Sequence, residues 1–573
     1  MAIVNIVATG LRFLTAGRRL RHFRRDEGGT LVIFALMLSV LMLMMGGIAV
    51  DVMRYESRRT SLQNTLDRST LAAAALNQAM TPRAVVDDYF LKAGLMDYLT
   101  SVTVTQGMNF RQVTAIAAAD TKPMFLTMMG IKKFDAKGIS KAEQRVNNVE
   151  VMLVLDVSGS MNSNSRLINL KSAATQFVAT VLNNDPEHKI SIGMVPFNGQ
   201  INLGPTLVSQ FNAVYPSGSA NVNCIDLPAN TYNSTTISQY AWATSGAPTP
   251  LSLTADADTY DGPGNQTPYS ANKWCPPQPG NIIRLPSQNV ATMQSNINGL
   301  VAIGATSINA GMKWGLGLLD PGSRAIYTSL IAGGQMPSTL QGRPFEYTDK
   351  EAMKVIVLMT DGEHFAEERV NDAYKAGFAP IFKGNSDNNY SIFHVSKVNN
   401  TSAANLCASK PYFIPHLNTW HVRPWMGTAP LSADCYVPIT TTPAVGVTEQ
   451  TWPQVWLAKG VQYVACSWYV TPLGLGTCST GNVNYNNQVN LFRTKTLTTD
   501  MDAQLQTLCT AAKSMNVIVY GIAFEATTLG QTQIRNCSTD GENGSHYFNA
   551  QGLQIATAFS AIANNISQLR LTQ

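Results

Sequence analysis

Five residues at three places in the sequence have the types that bind a hard metal ion. Asp156, Ser158 and Ser160 alternate in "LDVSGS", Thr306 stands in "IGATSINAG", and Asp361 stands in "MTDGE". Two carboxylates and three hydroxyls offer only oxygen donors. Such a set suits an octahedral magnesium ion, with manganese or calcium as alternatives, and gives zinc or copper no sulfur or imidazole to hold. The chemistry requires a fold that brings the three places to one point.

The surrounding pattern supplies such a fold. The apolar run Val149 to Leu155 stops at Asp156, and Leu167, Leu170, Ala174, Phe177 and Val181 follow at helical spacing before the alternating "KISIGMVPF". The rhythm resumes with a helix from Ser307 to Leu319, the strand "MKVIVLMTDGE", a helix near Met501 to Ser514 and the strand "VIVYGIAF". A last helix would carry Leu553, Ala556, Phe559, Ile562, Ile566 and Leu569 on one face. Strands this apolar predict an α/β fold, a mostly parallel sheet with helices on both faces. Ligands of such sheets bind beyond the carboxyl ends of the strands, where Asp156 and Asp361 fall. A helix-capping role for Asp156 and the serines is the alternative, and it leaves Thr306 and Asp361 unused.

Two tracts rich in Asn, Ser, Thr, Pro and Gly interrupt the rhythm, at about 198–286 and 364–499. Structureless loops of that length are uncommon inside a domain, so both read as insertions with their own staples. They hold six of the eight cysteines, Cys224, Cys275, Cys407, Cys435, Cys466 and Cys478, while Cys509 and Cys537 lie beyond them. An even count suggests disulfides; eight cysteines allow 105 connectivities, among which pairing of sequence neighbours is preferred here. Five of the eight tryptophans, Trp420, Trp425, Trp452, Trp456 and Trp468, fall in the second insertion and read as its core, with a contact surface as the alternative. His364 reads as a polar loop histidine. "DADTYDG", Asp256 to Gly262, is a poor calcium loop, because its glycine comes one place late and no Glu follows near position twelve.

The N-terminus carries a different signal. Charged residues make up 13% of the chain, against roughly 25% in an average soluble domain, a balance common in exported proteins. Six arginines and two acids in residues 1–27 account for four of the five net positive charges, so the remainder is nearly neutral and nucleic-acid binding is disfavoured. Gly28 to Val50 carry no charge, and 23 helical residues span roughly 34 Å, enough for a bilayer. The arginines place the N-terminus in the cytoplasm and Asp51 onward outside. A cleaved signal peptide with Gly47 and Ala49 at its cleavage site competes with this anchor, but the apolar run exceeds the usual 7 to 15 residues. The organisation expected is thus a basic segment 1–27, a transmembrane helix 28–50, a helical stalk and small α+β unit 51–147 with a hairpin about Gly107, and an α/β domain 148–573.

The five oxygen-bearing residues resemble the metal-ion-dependent adhesion site of von Willebrand factor A domains: DxSxS at Asp156, Ser158 and Ser160, the threonine at Thr306, and the aspartate of "TDG" at Asp361. The resemblance implies a Rossmann-like fold and direct ligation by the two serines. It also implies aspartates acting directly or through water, and a partner carboxylate that completes the shell. The N-terminal "DEGGTLVIFALML" and "GGIAVDVMRYESRRTSLQNTLDRSTLAAAA" resemble TadG-type proteins of the tight-adherence (Flp) pilus, as do "LCTAAKSMNVIVYGIAF", Cys537 and the final "FSAIANNISQLRL". This resemblance implies an inner-membrane anchor that exposes a magnesium-dependent protein-binding domain to the bacterial periplasm, with pilus or secretion proteins as partners. A cation-dependent surface adhesin is the alternative and a magnesium-dependent hydrolase a minor one. No GxSxG elbow, Walker loop or zinc-protease motif is present, so no catalytic residue is expected.

Overall fold

A computed structural model describes residues 28–75, 78, 80–106, 110–145, 148–214, 223–237, 251–275, 277–349, 351–398, 408–428, 436, 446–540 and 545–567. The basic segment 1–27, the hairpin turn at Gly107, Cys407, Cys435 and Leu569 therefore lie outside the described residues. The chain divides into two compact units, Met1–Arg145 and Val146–Gln573.

In the first unit the charge-free run and the sequence after it, which lacks Gly and Pro from Asp51 onward, form one helix, α1, Gly28–Ala74. Its 47 residues extend about 70 Å. The helix is long and apolar enough to cross a membrane, and only 6% of its most apolar window is buried. A core helix would be covered. Helix α2, Pro82–Lys92, starts at a Thr81 cap. The expected hairpin is β1, Leu99–Gln106, against β2, Phe110–Thr121, and a third antiparallel strand, β3, Phe134–Arg145, completes the sheet. Leu62, Leu66, Val86, Phe90, Val113 and Ala115 form the core beneath it.

The second unit is built on six strands in the order β9-β8-β7-β4-β5-β6. These are β4, Asn148–Asp156; β5, Ile190–Phe197; β6, Arg284–Ser287; β7, Ala352–Thr360; β8, Ile518–Phe524; and β9, Tyr547–Ala550. All neighbours run parallel except β6, which is antiparallel to β5. Helices α3, Arg166–Asn183, α4, Val290–Asn298, and α8, Gln554–Ser567, cover one face, with Phe177 against Phe559 at 5.7 Å. On the other face α5, Ile308–Leu319, and α6, Thr498–Ser514, join a core holding Met152, Val154, Ile356, Leu358 and Trp314. Helix α7, Thr528–Cys537, packs on α6 and β8. The exception to the expected pattern is Leu553: it precedes α8 and is 78% exposed, while Ile555 takes the buried place.

The two insertions differ in kind. The first contributes Ile201, Leu203, Ile225, Leu227 and Leu253 to the main core, so it is an elaboration of the sheet and not a separate body. The second builds its own antiparallel sheet of five strands, from Phe378–Gly384, Tyr390–Phe393, Tyr412–Ile414, Thr419–His421 and Val447–Thr451. Its chain leaves and returns through a two-stranded ribbon, Glu367–Val370 against Arg493–Thr496. Trp452, Trp456 and Trp468 are buried in its core and Trp420 packs against them, as the packing reading requires. Among the described residues three disulfides, Cys224–Cys275, Cys466–Cys478 and Cys509–Cys537, join sequence neighbours, and the last ties α6 to α7.

A hydroxyl and carboxylate cluster at the sheet edge

Because β4 and β7 are parallel neighbours with Leu155 opposite Met359, their carboxyl ends arrive side by side. The Asp156 carboxylate leaves β4 fully buried. Its Oδ1 accepts the Ser158 N–H at 2.8 Å and its Oδ2 accepts the Thr360 hydroxyl at 2.6 Å. The Ser158 and Ser160 hydroxyls lie 2.9 Å apart, and Ser160 donates to Asp361 Oδ1 at 2.8 Å. Four of the five expected residues thus form one hydrogen-bonded chain. Ser160 is exposed, so the chain opens to solvent.

The loop that carries Thr306 runs beside the cluster through bonds made by Ile303 and Gly304. Ile303 N–H bonds to Val157 and Gly159 N–H bonds to Gly304 O at 2.8 and 2.9 Å, laying the loop before α5 along the DxSxS loop. A Cβ at Gly159 would sit 3.3 Å from Gly304 O, a tight contact that would press the two loops slightly apart. Thr306 O in turn accepts the Phe365 N–H, which brings in the loop after β7.

Two further residues complete the charge pattern. Arg166, the first residue of α3, sets its guanidinium 2.7 Å from Asp361 Oδ2 and 2.9 Å from Glu525 Oε2. Glu525 follows β8 in a left-handed conformation, φ 51°, of the kind stored at functional sites. Arg166 therefore pairs with two carboxylates, Asp361 and Glu525, while Asp156 lies buried near Asp361. Burial, with Asp361 beside it, pushes Asp156 up to about 7. Burial also raises Asp361, against the pull of Ser160 and Arg166, whereas Arg166 holds Glu525 below its usual range. A second positive charge beside Arg166, such as a bound cation, would favour the ionised form of both buried carboxylates.

The donor set fits a hard one. Among the described residues no group of three or more His, Cys, Asp or Glu could hold a metal, so a cation here would depend on the serine hydroxyls. His364 lies in a loop, as expected, and is buried there. Its Nε2 accepts the Asn309 N–H at 3.0 Å, which puts the ring proton on Nδ1, 2.7 Å from Asp502 Oδ1. Both nitrogens are engaged. In "DADTYDG", Asp258 accepts the N–H groups of Tyr260, Asp261 and Tyr269, so its carboxylate holds the loop itself. Beside the cluster, Gly159, Gly304, Ala305, Tyr260, Trp274 and Phe365 line a crevice, with the Tyr260 and Phe365 rings edge to face at 5.2 Å.

Residues 28–76 match the family model for Flp pilus-assembly TadE/G-like segments, the same stretch, to within two residues, as α1. The chain carries a TadE/G-like N-terminal segment. That segment relates the protein to Flp pilus assembly. No curated protein matches the chain. Among solved structures it is similar to the vWF domain of the type V pili tip protein Mfa5 from Porphyromonas gingivalis, at 12% identity and TM-score 0.28, over 74% of this chain and 96% of that one. It is also similar to the PilB minor pilin from Streptococcus sanguinis, at 11% identity and TM-score 0.28, over 82% and 78%. For the pilus adhesin SpaC from Lactobacillus rhamnosus GG the values are 10% and 0.27, and this chain spans 33% of that adhesin's length. Scores this low carry no weight for the fold, which rests on the sheet order.

Thr360, Arg166 and Glu525 were not anticipated. Thr360 stood in plain view beside Asp361 in "MTDGE". Arg166 and Glu525 are single charged residues whose pairing appears only when α3 and β8 are brought together.

Proposed function

We propose that the protein is an inner-membrane-anchored component of tight-adherence pilus assembly or secretion that captures protein partners through a magnesium-dependent site. In this reading α1 crosses the bilayer once, with residues 1–27 in the cytoplasm and the bulk of the chain in the periplasm. Residues 148–573 are a von Willebrand factor A domain carrying two disulfide-bearing insertions.

The observation that carries the reading is the bond from Ser160 to Asp361, which unites the serine loop with the aspartate of the neighbouring strand. Asp156, Ser158, Ser160, Thr306 and Asp361 would hold the ion, which supplies a positive charge able to receive a carboxylate from a partner. Thr360 fixes the Asp156 carboxylate, and Arg166 fixes Asp361. The crevice at Tyr260, Trp274 and Phe365 would take an apolar residue next to that carboxylate. No catalytic step is assigned, since Ser158 neighbours a second hydroxyl and both His364 nitrogens are occupied.

The test is crosslinking and co-purification from intact envelopes, comparing wild type with Asp156→Ala, and magnesium with chelator, once the variant is shown to fold. Pilus-secretion proteins captured by wild type and lost in the variant and in chelator support the reading. The same partners recovered in all four samples would remove the metal site from partner binding.

A further inference from the structure

The connection between β2 and β3 reads "KPMFLTMMGIKK", Lys122 to Lys133, and holds a short 3-10 turn, Leu126–Met129. Its side chains are the wrong kind for a water-facing turn. Met128 is 85% exposed, Met124 67% and Met129 56%. Scattered exposed methionines need no explanation, but a contiguous apolar patch of this kind marks an interaction surface.

Three observations identify what covers it. First, the Asp51 carboxylate, 1% exposed, accepts the N–H groups of Met124, Phe125 and Leu126 at 2.8, 2.7 and 2.9 Å. This fastens the start of the turn to the first charged residue after the apolar run of α1. Second, the Phe125 ring fills the notch at Gly47, where a Cβ would come within 2.4 Å of it. Third, Met128 and Met129 line one apolar crevice with Val40, Leu43, Met44 and Ile48. The turn therefore runs back along the apolar run, not away from it. Val40 lies eleven residues before Asp51, about 16 Å along the helix. Exposed Lys122 and Lys132 flank the apolar tip, and Lys133 is tied to Asp120 and Asp135 at the strand ends. Ammonium groups so placed reach lipid headgroups while their stems lie on apolar surface.

We infer that the Lys122–Lys133 connection is a second membrane contact, whose Met124, Met128 and Met129 enter the acyl region of the leaflet on the Asp51 side of α1. The occupant of the patch is lipid. The inference rests on the reading of α1 as a membrane span, and the patch is continuous with that span. Its consequence is that the three-stranded sheet is held against the bilayer at two points, the helix and the turn.

The full chain, reconstituted in vesicles of phosphatidylethanolamine and phosphatidylglycerol, tests this with an environment-sensitive fluorophore on single added cysteines. The sites are Met128→Cys in the turn, Leu36→Cys in α1 and Thr103→Cys on the exposed side of β1. Lipids carrying a nitroxide on the acyl chain are the quencher. Quenching at positions 36 and 128 several-fold stronger than at 103 is expected. Quenching at 128 as weak as at 103, with strong quenching at 36, overturns the turn contact and leaves the span intact. Weak quenching at 36 as well overturns the span reading and the inference with it.

Discussion

The Ser160 hydroxyl donates to Asp361 Oδ1 at 2.8 Å across 201 residues of chain. The pair exists because β4 and β7 lie side by side in register, so the loops that follow the two strands meet at the same corner of the sheet. Everything else in the cluster is arranged around that contact.

Thr360→Val removes the hydroxyl that bonds Asp156 Oδ2 and keeps the side-chain shape. Groups that orient a ligand typically contribute 10- to 100-fold to metal affinity, so magnesium binding should weaken by roughly that factor with the fold intact. Calorimetric titration with magnesium measures it. An unchanged affinity would mean that Asp156 does not need Thr360 to hold the ion.

His364→Ala strands the Asn309 N–H and the Asp502 carboxylate, both of which depend on the ring. The expected loss is about 1–3 kcal/mol, the cost of an unmet polar group. A urea denaturation midpoint reads it. No change in the midpoint would show that water replaces the imidazole at both positions.

The second insertion should loosen in acid. His394 is packed between Trp420 and Tyr469, its Nε2 has no hydrogen-bond partner among the described residues, and burial holds its imidazole down at about 4. The unfolded chain takes up this proton near pH 6.5, the folded chain only near 4. The stability is present above the first value and lost as pH falls towards the second, about 3 kcal/mol in all. Hydrogen exchange within residues 378–470 at pH 7 and pH 4.5 should show the difference, and His394→Phe should flatten it.

Replacing Cys224 and Cys275 together by serine opens a loop of 51 residues. Chain entropy puts the cost at about 4 kcal/mol, against about 3 for the 12-residue loop of Cys466–Cys478. Thermal melts of the two double variants should rank in that order. The reverse ranking would place the dominant effect in the folded state.

The parts legible in the sequence were those with dense local signals. Strands β4 and β7 are buried on both faces and so read as apolar runs, and DxSxS is confined to five residues. Strand β3 was missed because its inward residues, Ala136, Gly138, Ser140 and Ala142, are all small and give a weak alternating signal. They are small because α1 packs closely: a Cβ at Gly138 would meet Leu66 at 2.7 Å. His364 and Arg166 were illegible for another reason. Each looks like a surface residue until partners 138 and 195 positions away arrive. Leu553 misled in the opposite sense, continuing the helical spacing of α8 one residue before the helix begins.

The sheet order also sets a clock. Strand β4 cannot gain its neighbour β7 until about two hundred further residues, including the whole first insertion, have been made. At 5–20 residues per second that interval lasts on the order of 10–40 s. During it the serine loop has no aspartate to meet, so the Ser160–Asp361 contact is absent from the growing chain until β7 has been made.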